Sequence, residues 1–223
     1  MMSLFSMFDP SAIMLIQFNW MMINLTIIFI PIMYWKMNSR SSMMMNTIFI
    51  KLNNEFKSLF TQNITMKGST LIPISLFSMI LMNNITSNFP YTFCPSAHLS
   101  FTLVLSIPIW LSIMIYFWSN LSKSMFAHLV PSGTPKVLMP LMVMIELTSN
   151  LIRPMALAVR LTANLIAGHL LMALLGNTFN INSFMWVFIL SIQTLFMMFE
   201  LMVAAIQSYV FSVLMTLYSS EIS

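Results

Sequence analysis

Between Gly68 and Ser122 the chain carries no Asp, Glu, Lys or Arg. A water-soluble fold cannot keep its surface wet across such a run. The rest of the chain is little better supplied. Of 223 residues, 6% are charged and 59% hydrophobic, where soluble domains carry about a quarter charged residues. Nine Lys and Arg with five Asp and Glu exclude a soluble globular enzyme, a nucleic-acid binder and a disordered chain. The reading is an all-α integral membrane protein, one membrane domain over 1–223. The single cysteine, Cys94, excludes an internal disulfide and a cysteine-based metal site.

A membrane helix needs about 20 apolar residues, so the charge-free run holds two helices and a break. The break is read at Asn83-Asn84 through Pro90 to Pro95-Ser96, where Asn, Ser and Pro cluster. Spans are expected at 12–35, 69–86 and 97–119, the third carrying Pro108, which packed neighbours tolerate. The segment 38–66 is too polar to span and reads as an interfacial helix or loop. No secretory signal is expected, because a basic n-region is missing and Asp9 precedes the first apolar run. Lys36, Arg40, Lys51, Lys57 and Lys67 follow the first span, and Lys123 and Lys136 follow the third. Loops 36–67 and 120–136 therefore share the cytoplasm-like side, with the N-terminus opposite.

Two longer segments follow. Residues 137–176 are helix-compatible throughout, interrupted only by Pro140 and Pro154, and 183–218 contain neither Pro nor Gly. At about 1.5 Å per residue each runs to roughly 55–60 Å, twice the roughly 30 Å of the hydrocarbon core. The segment 183–218 offers no turn and is read as strongly tilted, while Pro154 leaves 137–176 open between tilting and splitting. The polar link Asn177–Asn182 is short, which makes the two segments an antiparallel hairpin.

Polar groups sit inside this hairpin at helical spacing. Glu146, Arg153 and Arg160 recur every seven residues, with Ser149, Ala156, Ala163, Asn164 and Ala167 on the same face and His169 roughly opposite. Gln193, Glu200 and Gln207 repeat the interval in the second segment. Facing residues of an antiparallel pair have a nearly constant sum of numbers. One register sets Arg160 against Gln207 and His169 against Glu200. An ionisable group in a membrane helix costs from about 3 to over 10 kcal/mol and marks a functional path by default. Glu and His exchange protons near neutral pH when their surroundings shift them, so a His169–Glu200 pair can relay protons. Arg160 is a permanent positive charge, suited to attracting a carboxylate and to blocking direct proton passage. A buried ion pair that only fixes packing is the competing reading for Arg160, and Arg153 reads as a snorkelling or ion-paired residue. Proton conduction stands against a structural membrane anchor and an ion-coupled solute carrier. Histidines at 98, 128 and 169 do not supply the facing pairs of a haem carrier.

The stretch RPMALAVRLTANLIAGHLLMALLG at 153–176, with HLVPSGTPKVLMPLMVMIELTSNLI before it and FELMVAAIQSYVFSVLMTLY at 199–218, resembles subunit a of the F-type ATP synthase membrane sector in its mitochondrial form. The resemblance covers essentially the whole chain. It implies a proton-translocating subunit with no catalytic site, metal or cofactor of its own, in the mitochondrial inner membrane, with the cation-rich loops on the matrix side and the N-terminus facing the intermembrane space. The implied partners are a ring of c subunits, other membrane-sector and peripheral-stalk subunits, lipid and the transported proton. Arg160 would face the ring and separate two half-channels. His169 and Glu200 would belong to the intermembrane-side half-channel and Glu146 to the matrix side. Gln207 and Asn164 would give polar support near Arg160, and Glu221 stands where the family has a C-terminal acid. The two long helices would lie nearly in the membrane plane.

Overall fold

The structure, a computed structural model, describes residues 4–11, 18–24, 39–60, 68–89, 92–120, 122–130, 135, 137–178 and 186–221. The expected span 12–35 falls largely outside them, as do 61–67 and most of the link at 177–182. Among the described residues the chain is helical, with no strand. The helices are α1 (Arg40–Leu59), α2 (Leu71–Ser87), α3 (Leu99–Asn120), α4 (Ser122–His128), α5 (Met139–Asn177) and α6 (Trp186–Glu221). Three of them are long and apolar enough to cross a membrane: α3, α5 and α6 up to Ser220. A 3-10 turn at Leu4–Phe8 and another at Pro95–Ala97 flank the bundle.

Local chemistry sets the ends. Ser39 caps α1, its hydroxyl accepting from Ser42 N at 3.3 Å. Gly68 adopts φ +101 just before α2, a conformation that favours glycine. Pro140 sits in the first turn of α5, where its missing N–H removes no helical bond. Pro154 is buried inside α5 without ending it, so Met139–Asn177 is one continuous helix rather than two.

Helix α2 runs along α6, α3 along α5, and α5 along α6. Their shared core gathers Leu76 and Ile80 of α2, Leu157, Leu161 and Leu165 of α5, and Phe211 and Met215 of α6. The amphipathic α1 buries Leu52 and Phe56 against Phe77 and keeps Lys51 and Lys57 exposed. Small hydroxyl residues let α6 come close to its neighbours: Ser208, Ser212 and Thr216 are buried. Each returns its hydroxyl to its own helix, onto Ala205 O (2.7 Å), Tyr209 O (2.8 Å) and Val213 O (2.7 Å), so no polar atom is stranded by the contact.

One expectation is corrected. Asn83 and Asn84 lie within α2 and are fully buried, not in the break, which begins at Asn88. For Asn84 the neighbouring helix offers a partner: its Nδ2 donates to Ala204 O of α6 at 3.4 Å.

Candidate functional site

Helix α5 has two faces. Pro154, Leu157, Ala158, Leu161, Thr162 and Leu165 are buried, one stripe at three- and four-residue spacing. Opposite them Met155, Ala156, Val159, Arg160, Ala163, Asn164 and Ala167 are exposed. Arg160 thus stands on the outer face among small residues. No carboxylate among the described residues forms an ion pair with it. A guanidinium left in this state inside a bilayer is costly, and small neighbours allow another helix to approach closely. The outer face of α6 continues the surface with Leu195, Met198, Phe199, Met202 and Ile206, all exposed.

Behind that face, α5 and α6 set their remaining polar groups against each other. His169 Nδ1 lies 3.9 Å from Glu200 Oε1, with side chains 15% and 7% exposed. Asn88, at the end of α2 and turned to present its amide nitrogen, donates to Glu200 Oε1 over 3.3 Å and accepts from Leu201 N at 3.3 Å. Phe8 stands edge-on to the His169 ring, 6.3 Å between centroids. These groups open onto a cleft of about 410 Å³ whose wall includes Ser87, Thr92, Cys94, Met172, Gln193 and Met197. Burial pushes the Cys94 thiol up, so it stays a neutral polar wall group. His98, outside the cleft, stacks on Phe93 at 5.2 Å and lies 5.4 Å from Trp20.

Two residues of this site carried no obvious signal in the sequence. Asn88 falls unremarked inside the expected break. Gly168 makes room for the carboxylate: a Cβ there would lie 2.5 Å from Glu200 Oε1, whereas Gly176 has nothing within 4 Å. The small residue beside His169 was the available signal, and only the fold shows what it admits.

The predicted register is corrected by one turn on one side of the hairpin. Gln207 does not meet Arg160. Its Oε1 accepts from Asn164 Nδ2 at 3.1 Å. Asn164 is four residues beyond Arg160, so the same face of α5 is used one turn on. Arg153 rests over the Tyr218 ring, 5.2 Å from its centroid, as a packed interfacial cation. Glu146 is half-buried on the N-terminal part of α5, and the Glu221 side chain lies outside the described residues. No group of three or more His, Cys, Asp or Glu that could hold a metal occurs among the described residues.

Comparison with known proteins adds the following. The family model "ATP synthase A chain" matches residues 16–220. The chain is 54% identical over 224 residues to ATP synthase subunit a of Drosophila melanogaster, 52% identical over 226 residues to that of Anopheles gambiae, and 48% identical over 224 residues to that of Locusta migratoria. All of this chain is covered in each case, with 100%, 100% and 99% of the relative.

Proposed function

The chain belongs to the ATP synthase A chain family, and from that premise we propose that it conducts protons through the mitochondrial inner membrane against a rotating ring of c subunits. The observation that carries the reading is the placement of Arg160: exposed on a small-residue face of a membrane helix, unpaired with any described carboxylate, in front of a His169–Glu200 pair on a cleft.

The geometry supports two paths that do not meet. Along α5, His169 stands nine residues past Arg160 and Glu146 fourteen before it, about 13 and 21 Å along the axis. A proton enters by the cleft, is exchanged at His169 and Glu200, and passes to a c-subunit carboxylate at the outer face. After the ring has turned, Arg160 draws the carboxylate into its ionised form, and the released proton leaves past Glu146, with Glu221 at the same end of the hairpin. Arg160 cannot itself carry the proton, because its pKa stays above about 12. Gln207 and Asn164, bonded to each other one turn beyond it, give polar support. Helices of 39 and 36 residues fit a core of about 30 Å only if tilted by about 60° from the membrane normal. Loops 36–67 and 120–136 take the matrix side by their cations, and the N-terminus takes the intermembrane side. Other membrane-sector and peripheral-stalk subunits and lipid cover the remaining apolar faces.

The test compares His169→Ala with wild type by proton flux per assembled complex. The expected fall is about 10-fold. That is less than the roughly 100-fold of an irreplaceable acid–base group, because water in the cleft can stand in for the imidazole. A purely anchoring subunit would show altered assembly with unchanged flux per complex, and that result would refute the reading.

A further inference from the structure

Glu55 is the single Asp or Glu between Lys36 and Lys67, a stretch that holds five Lys and Arg. It stands on the exposed side of α1, one turn after Lys51 and two residues before Lys57. Its carboxylate reaches the outer face of α6, where Tyr209 Oη donates to Glu55 Oε2 at 3.2 Å. Its neighbours on α1 hold it there: Leu52 and Phe56 are buried against Phe77, with Val213 of α6 packed beside them. Tyr209 ends the exposed row Leu195, Met198, Met202 and Ile206, whose three- and four-residue steps keep it on one side of the helix. Asn164 faces Gln207 and His169 faces Glu200. The same antiparallel register sets Tyr209 level with Arg160 to within one helical turn. A carboxylate from the surface helix therefore borders the outer face at the level of its arginine.

The exit path has room for such a group. On α5 the nearest carboxylate before Arg160 is Glu146, fourteen residues and about 21 Å away along the axis, too far for one proton transfer. We infer that Glu55 and Tyr209 take up the proton that a c-subunit carboxylate gives up beside Arg160 and pass it to water on the matrix side. The inference rests on the proton-conducting reading and deepens it. In the transfer the carboxylic O–H bond of the c subunit breaks as an O–H bond forms at Tyr209 Oη, and the phenol's own proton moves to Glu55 Oε2. Glu55 then releases that proton to water and the phenol is restored. Nothing is oxidised or reduced, and the same steps run backward when ATP drives the ring.

The experiment measures ATP-driven acidification of inverted vesicles, matrix side outward, normalised to assembled complex. Glu55→Gln should lower it by about tenfold, less than the roughly 100-fold of an enclosed acid–base group, because water reaches Glu55 and can stand in for it. The amide oxygen still accepts from Tyr209, so a contact that only tethers α1 to α6 would leave this variant at the wild-type rate, and that result would overturn the inference. Glu55→Asp, which keeps a carboxyl group, should regain most of the loss. Morpholinoethanesulfonate, an impermeant buffer added outside, should raise the rate of Glu55→Gln several-fold and leave wild type unchanged, because a mobile acid replaces the fixed one. A loss indifferent to the buffer would overturn the inference too. Glu200→Gln, measured alongside, separates the two readings. If it loses flux while Glu55→Gln does not, the exit station falls and proton conduction stands; if neither loses flux, both fall.

Discussion

Arg160→Ala should abolish ATP-driven proton pumping while the complex still assembles. Assembly survives because Arg160 lies on the outer face and the core holding α5 is made by Leu157, Leu161 and Leu165 on the other side. Pumping fails because nothing else on that face carries charge: from Met155 to Leu171 Arg160 is the single Lys, Arg, Asp or Glu. On the proposed reading, an ionised c-subunit carboxylate facing this helix would then have no counter-charge. Even at the low estimate of about 3 kcal/mol for a charge in the membrane, deprotonation slows by more than about 100-fold. The proposed barrier between two half-channels would go as well, so protons that do cross would not have to turn the ring. Arg160→Lys should retain part of the activity, since an ammonium keeps the charge but can lose its proton when desolvated. Acidification of inverted membrane vesicles by ATP, normalised to assembled complex, reads both variants.

Glu200→Gln should lower proton flux per complex by about 100-fold, the ordinary contribution of a positioned acid–base group. The substitution keeps the shape of the side chain, and an amide can still meet Asn88, so packing against α2 and the space beside Gly168 are preserved. What is lost is the proton-binding site. His169→Ala added to Glu200→Gln should cost little more, because the two groups face each other at 3.9 Å and act on one step, and residues of one network are not additive. Multiplying losses in the double variant would instead place the two residues on separate routes.

Much of this arrangement is legible in the residues. Charge-free runs locate the helices, because the bilayer admits little else. Seven-residue spacing identifies the faces, because the helix period is close to it. His169 facing Glu200 follows from folding the hairpin about its short polar link. Three features were not legible, each for a physical reason. The partner of Gln207 is Asn164 rather than Arg160, because a sum of residue numbers fixes register only to within a helical turn. Asn83 and Asn84 read as a break, since asparagine is common in turns; both are buried in α2, and Asn84 is met there by a carbonyl of a helix 120 residues away. Gly168 is an ordinary helix residue in sequence, and its role comes from a carboxylate on another helix.

The central claim is that the small-residue face around Arg160 meets the rotating ring. Disulfide crosslinking from a single Ala163→Cys to a cysteine placed beside the c-subunit carboxylate tests it most directly, with Val104→Cys on the exposed side of α3 as the comparison. The account expects Ala163→Cys to crosslink, to stop ATP-driven rotation when it does, and to release rotation on reduction. Crosslinking from Val104→Cys with none from Ala163→Cys would contradict it.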